Sequence, residues 1–279
     1  MAQRVQAPQA PPSTGIALRI LPPGMYAGRA RVLVERSLLV NSRIWMSFVS
    51  GFFEPLLYLL SLGVGFGRLV PEMPGPDGRP LSYLAFVAPA LLAASAMNGA
   101  VYDATFNIFF KFKYAKIYDA MLATPLGPVD IAIGEIVWAL LRGGLYTLGF
   151  LGVMLAMGLA ASPWALLIVP ASLVMAFGFA AVGMAASTFM RSWQDFDLVM
   201  LVLMPMFLFA TTFFPLSVYP GPIQVMVQCL PLYHGIEIMR ELSIGAVDAS
   251  ILGHLAYFVV MAGIGVVVSA RRLGGLLLR

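Results

Sequence analysis

The sequence predicts an all-α integral membrane protein with six transmembrane helices, and three observations lead there. Of the 279 residues, 60% are hydrophobic and only 11% are charged, where soluble domains carry roughly a quarter charged. Six stretches, near 44–67, 83–101, 131–159, 164–190, 198–218 and 252–270, are apolar over about the 20 residues needed to cross a bilayer. The basic residues also gather on one side of the membrane that these stretches define. A single water-soluble core could not bury all six stretches in a chain of this length.

Residues 1–27, which carry five prolines and two arginines, lack the apolar core and small-residue cleavage site of a secretory signal peptide. They are expected to form a disordered cytosolic tail, with the membrane domain over 28–279. Over 28–43 Val32, Leu38 and Leu39 can share one helix face, while Arg29, Arg36 and Arg43 recur every seven residues on another. That pattern suits a helix lying in the membrane interface with its arginines near anionic headgroups.

The six spans follow. The third and fourth are joined by only Ala160, Ala161, Ser162 and Pro163 and so form a tight antiparallel hairpin. Between the fifth and sixth, residues 220–250 are too apolar for a solvated loop, yet Pro231 and several charges interrupt them. Two short helices dipping into the outer leaflet fit this segment. Glycines at 62–67, 178–187 and 263–270 permit close helix approach, within the bundle or between copies.

Orientation rests on arginine and lysine. Arg4, Arg19, Arg29, Arg31, Arg36 and Arg43 precede the first span, and all three lysines (Lys111, Lys113 and Lys116) follow the second. Arg191, Arg271, Arg272 and Arg279 fall on the same face, whereas Arg68, Arg79 and Arg240 fall on the other. Both termini are therefore expected in the cytoplasm. The net charge of +4 follows from these loops and does not call for nucleic acid.

Catalytic signatures are scarce. The sequence contains no Gly-x-x-x-x-Gly-Lys-[Ser/Thr] and no HExxH, and Cys229 is its only cysteine. His234 and His254 show no metal-ligand spacing. Three charges sit within spans: Glu54 before Pro55, and Glu135 and Arg142 on one face of the third span. Such residues form an ion relay, or pair with each other, with interfacial arginines or with freed backbone groups. Phe52, Phe53, Phe209, Phe213 and Phe214 are candidates to line a substrate path, against the plainer reading as packed or lipid-facing rings.

Between the second and third spans lies KYAKIYDAMLATP, residues 113–125. Ile117, Met121 and Leu122 form the apolar side of a short helix, Lys116 and Asp119 point elsewhere, and Pro125 ends it. An exposed apolar side would be a docking surface for a soluble partner; otherwise it packs on the ends of the spans.

EPLLYLLSLGVGFG, YLAFVAPALLAASAM, YDAMLATPLGPVDIAIGE, PMFLFATTFFPLSVYPG and LPLYHGIEIMREL, in this order, resemble the permease subunits of ABC-2 type exporters. They are most similar to the nodulation-type permeases for lipo-oligosaccharides and to drug-export relatives. The resemblance implies the type V exporter fold: six spans, an N-terminal interface helix, a cytoplasmic coupling helix and outer re-entrant helices. It implies a bacterial inner-membrane homodimer with two separate ATPase subunits that hold ATP and Mg, the chain itself having no cofactor. The coupling helix maps onto 114–122, with Tyr114, Lys116, Ile117, Tyr118, Asp119, Met121 and Leu122 as expected ATPase contacts. Gly134–Glu135 map onto the family's glycine–glutamate pair, with Glu135 bracing the interface or coupling helix. The competing readings are a secondary transporter using Glu54 or Glu135 as its ion site, and a membrane-embedded enzyme.

Overall fold

A computed structural model describes residues 29–42, 53, 56–63, 65–70, 72–75 and 80–277. The expected tail, most of the first span, Glu54 and Phe52 lie outside the described residues. Among the described residues the regular structure is helical, apart from a two-residue antiparallel pairing of β1 (Met73–Pro74) with β2 (Pro80–Leu81).

The helices are α1 (Ala30–Ser42), α2 (Tyr83–Tyr102), α3 (Ile108–Lys113), α4 (Ile117–Leu122), α5 (Pro128–Ala156), α6 (Ile168–Ser187), α7 (Asp195–Phe209), α8 (Gly221–Gln228), α9 (Pro231–Ile244) and α10 (Ser250–Leu277). A π-helical segment, Asp103–Asn107, joins α2 to α3 without a break in the helix. Among the described residues four helices are long and apolar enough to cross a membrane: Tyr83–Lys113, Asp130–Ala156, Pro163–Ser187 and Ser250–Ser269.

Two boundaries differ from expectation. The second span runs on to Lys113 rather than stopping near 101, because the π segment absorbs the polar residues Asp103, Thr105 and Asn107 within one helix. The fifth helix ends at Phe209 rather than 218. Pro205 interrupts its hydrogen-bond ladder, and Thr211 adopts a left-handed backbone at φ 62°.

Ser82 caps α2, its hydroxyl accepting from the Ala85 amide at 3.2 Å. Pro163 and Pro231 occupy the first turns of their helices, where a missing N–H costs nothing. The two short helices expected between the fifth and sixth spans are present as α8 and α9, and Pro231 starts the second.

α6 forms the centre of the bundle, with α2, α5 and α10 around it. Small residues bring it close to its neighbours. A Cβ on Gly265 of α10 would lie 2.6 Å from the Ala181 carbonyl carbon, so these backbones touch. Gly134 of α5 serves α1 in the same way, since a Cβ there would meet Leu33 at 2.7 Å. Leu33 is buried at this crossing, whereas Val32, Leu38 and Leu39 are exposed. α1 thus turns one residue row to the protein and the predicted apolar row away from it.

Candidate functional site

The candidate site is the region where α1, α3, α4 and the start of α5 converge. Asp130 organises it. Its Oδ2 accepts from the Gly127 amide at 2.9 Å, capping α5, and its Oδ1 accepts from the Arg29 amide at 2.8 Å. One fully buried carboxylate therefore fixes where α1 begins relative to α5.

Lys116 leads into α4 with a left-handed backbone at φ 46°, which costs a non-glycine residue about 1–2 kcal/mol. The turn lets the chain leave α3 and fold the short helix back across the bundle. At the far end the Thr124 hydroxyl donates to the Met121 carbonyl at 2.5 Å.

Tyr118 and Met121 of α4 are buried and Ile117 is half-buried. Of the two alternatives for the apolar side of this helix, Ile117 and Met121 follow the one that packs it within the chain, with Tyr118 beside them. Burial on α1 and α5 removes their apolar area from water inside the chain itself. Tyr118 lies by Glu135 and Arg36; burial pushes its hydroxyl well above the ordinary tyrosine range, and the Glu135 charge raises it further. Tyr114, Lys116 and Ala120 remain exposed. Asp119 and Leu122 belong to α4.

Two ion pairs join α5 to the helix that precedes this region. Lys111 Nζ lies 2.9 and 2.7 Å from the two carboxylate oxygens of Glu135. Arg142 Nη1 lies 2.9 Å from Asp103 Oδ1, and its Nε donates to the Tyr146 hydroxyl at 2.9 Å. Glu135 and Arg142 are not paired with each other, and the partner of Glu135 is a lysine rather than an arginine. Seven residues along a helix is about 10 Å between backbones, so the two would meet only with both side chains stretched along the axis. Each residue instead meets its counterpart on the neighbouring helix.

An aromatic cluster carries the region on to α7. Tyr114 packs edge-on to Trp193 with centroids 6.0 Å apart, and Phe106 packs on Trp193 at 4.7 Å and on Phe196 at 5.2 Å. The exposed end of the α4 region thus touches the turn that starts the fifth helix. Sequence reasoning missed this, since the rings come from segments some 80 residues apart.

The expected path residues are dispersed. Phe209 lines a large apolar cleft beside α7. Phe213 packs edge-on against Phe207 at 5.3 Å, and Phe53 and Phe214 are exposed.

The matching family is described as ABC-2 type transporter, over residues 29–243. The chain belongs to the ABC-2 type transporter family. An ABC-2 chain is the membrane subunit of a transporter that associates with ABC ATPase subunits, and ATP hydrolysis belongs to those partners. Among curated proteins it is similar to Nodulation protein J of Rhizobium leguminosarum bv. viciae, 29% identical over 84% of this chain and 88% of that one. It is also similar to Nodulation protein J of Rhizobium meliloti (strain 1021), 29% identical over 72% of this chain and 75% of the relative. The same name belongs to a relative in Rhizobium leguminosarum bv. trifolii, 30% identical over 72% and 76%.

Two further clusters of this ABC-2 chain escaped sequence reading. Arg240, assigned to the outer face, is buried. Its Nη1 lies 2.8 Å from Glu237 Oε1, its Nη2 donates to the Thr211 carbonyl at 2.9 Å, and its guanidinium sits 3.9 Å over the Phe86 ring. It therefore ties the end of α7 to α9 and α2. His234 and His254, twenty residues apart, face each other with their Nδ1 atoms 2.7 Å apart.

Proposed function

We propose that this chain is the permease subunit of an ATP-binding-cassette exporter in a bacterial cytoplasmic membrane. It would work as a homodimer with two separate ATPase subunits. Its substrate is amphipathic: a lipid-linked saccharide, a lipid or a hydrophobic drug. Six spans, cytoplasmic termini and an α8–α9 pair entering the outer leaflet complete the reading. ATP and Mg bind the ATPase subunits, and this chain carries no cofactor of its own.

The observation that carries the coupling part is the way α4 is anchored. Tyr118 and Met121 hold it against α1 and α5, while Tyr114 and Lys116 stay exposed and Tyr114 touches Trp193 at the head of α7. The ATPase then engages the exposed Tyr114–Lys116–Ala120 edge, with Ile117, Tyr118, Asp119, Met121 and Leu122 completing the same helix. ATP-driven closure of the ATPases displaces α4 as a unit with α1 and α5. Because nucleotide binds the two states of the dimer unequally, that displacement shifts the balance between inward- and outward-facing forms. The Lys111–Glu135 and Arg142–Asp103 pairs hold the second and third spans together as the force passes. Phe209, Phe213 and Phe214 stand toward the outer part of the substrate's route, and Phe52 and Phe53 contribute to it from the first span.

The test is to purify the chain with its ATPase in lipid and compare Tyr114→Ala/Lys116→Glu with wild type. Loss of complex recovery, or ATP hydrolysis that no longer responds to the permease, supports the reading, provided the variant elutes as the folded chain. Unchanged recovery and unchanged hydrolysis overturn it.

A further inference from the structure

A cleft of about 1020 Å3 separates α7 from the rest of the bundle. Phe179 and Val182 of α6, Val202 and Met206 of α7, Met226 of α8 and Met261 of α10 form its walls. Thr105 and Asp195 along it are already engaged. Thr105 donates to the Val101 carbonyl at 2.6 Å, and the Asp195 carboxylate accepts from the Arg191 amide at 2.6 Å, the Ser192 amide at 3.2 Å and the Ser192 hydroxyl at 3.4 Å. Water needs two to four polar partners to settle in such a space, so hydrocarbon suits it better.

One end differs from the rest. Arg191 lines it, and the Arg272 guanidinium lies 4.2 Å over the ring of Phe189, another lining residue. Two cations from separate segments, against the single carboxylate of Asp195, thus stand at the mouth of an apolar slot. The slot runs beside α7 from Arg191 to Phe209; the 15 residues of that helix span about 22 Å, room for the ~15 Å of hydrocarbon in one leaflet measured from the arginines and short of Phe209. The slot therefore matches an acyl chain in length and an anionic headgroup in charge.

We infer that this cleft binds one anionic glycerophospholipid of the surrounding membrane, its acyl chains between α6, α7 and α10 and its phosphate at Arg191 and Arg272. The lipid fills the gap beside a helix whose Leu198, Leu201, Val202 and Met204 are largely exposed. The inference rests on the chain residing in a membrane but requires neither an ATPase nor a cargo.

The test is native mass spectrometry of the whole chain, purified with either phosphatidylglycerol or phosphatidylcholine added. We expect retained phosphatidylglycerol and little phosphatidylcholine. Arg191→Gln and Arg272→Gln should each weaken retention about fivefold, as expected for one cation at a membrane surface. Val182→Trp, which fills the slot, should abolish it with the circular dichroism unchanged; Ala186→Leu on the same wall replaces it if the tryptophan variant does not fold. Equal retention of both lipids, or retention unaffected by the filled slot, overturns the inference. So does a lipid-free dimer cross-linked through Val202→Cys, which would mean that a second copy covers the cleft. Lipid retention and ATPase recruitment are read separately, so failure of one proposal leaves the other standing.

Discussion

Lys111 and Glu135 form a two-pronged ion pair between α3 and the N-terminal part of α5, with both nitrogen–oxygen distances under 3 Å. Both side chains are largely buried, at 15% and 7% exposure, so removing either leaves the other charge without its counter-ion. Glu135→Leu alone is expected to cost about 3 kcal/mol. The double variant Lys111→Met/Glu135→Leu should recover most of that loss, because no unpaired charge remains. A double-mutant cycle read by thermal unfolding in detergent checks this. If the single and double variants were equally unstable, the pair would not be the cause.

The Gly265 crossing should tolerate no side chain. Its Cβ would meet the backbone of α6 at 2.6–2.7 Å, and backbone cannot move aside as a flexible side chain does. Gly265→Val is expected to destabilise by at least 1–3 kcal/mol through overpacking and to lower the yield of folded chain. Gly143→Ala is the control: nothing lies within 4 Å of a Cβ there, and helix propensity favours alanine by up to about 1 kcal/mol. Melting curves of the two variants should move in opposite directions.

The turn between α9 and α10 predicts a pH dependence. Burial, with a smaller push from Glu237 and Asp248, raises the Glu241 carboxyl to about 7, and the Ser250 hydroxyl donates to it at 3.2 Å. The folded value lies above the ordinary 4.5. The associated stability is therefore fully present below about 4.5 and is lost as pH rises through about 7. Glu241→Gln should flatten the fall in melting temperature between pH 5 and pH 8 by a few degrees. An equal fall in the variant would assign the dependence to other groups.

Tyr114 and Trp193 place the exposed edge of the α4 region in contact with the head of α7. Trp193→Ala should leave complex recovery with the ATPase intact while weakening the response of ATP hydrolysis to the permease, by roughly two- to tenfold for about 0.5–1.5 kcal/mol of ring contact. Tyr114→Ala should impair both. Identical effects of the two substitutions on recovery would mean that Trp193 also contributes to the docking surface.

Much of this architecture was legible along the chain. The helix before the first apolar stretch, the short helix after the second and the α8–α9 pair broken at Pro231 all follow from hydropathy, helical periodicity and proline position. Helix ends were less legible. Asp103 lies just past the apolar run and reads as a loop residue, yet it sits in a π segment within a continuous helix. Its partner Arg142 is 39 residues away, and no local pattern links them. Which way the apolar side of α4 is used was open for a related reason. Ile117, Tyr118 and Met121 form an apolar side from any viewpoint, but only the placement of α1 decides whether that side is covered.

By itself the sequence determined the solvent of this protein, the family it resembles, the absence of a P-loop and, among the described residues, the four apolar helices able to cross a membrane. Lipid imposes its demand on every residue of a contiguous stretch, so composition along the chain suffices to read it. Only the tertiary structure decided that Lys111 meets Glu135, that Arg142 meets Asp103, that Arg240 holds the end of α7, and that a cleft opens beside that helix. These depend on helix rotation and on contacts a few ångströms wide between segments far apart in sequence. Their energy resides in pairs, and a pair is not a property of either residue alone.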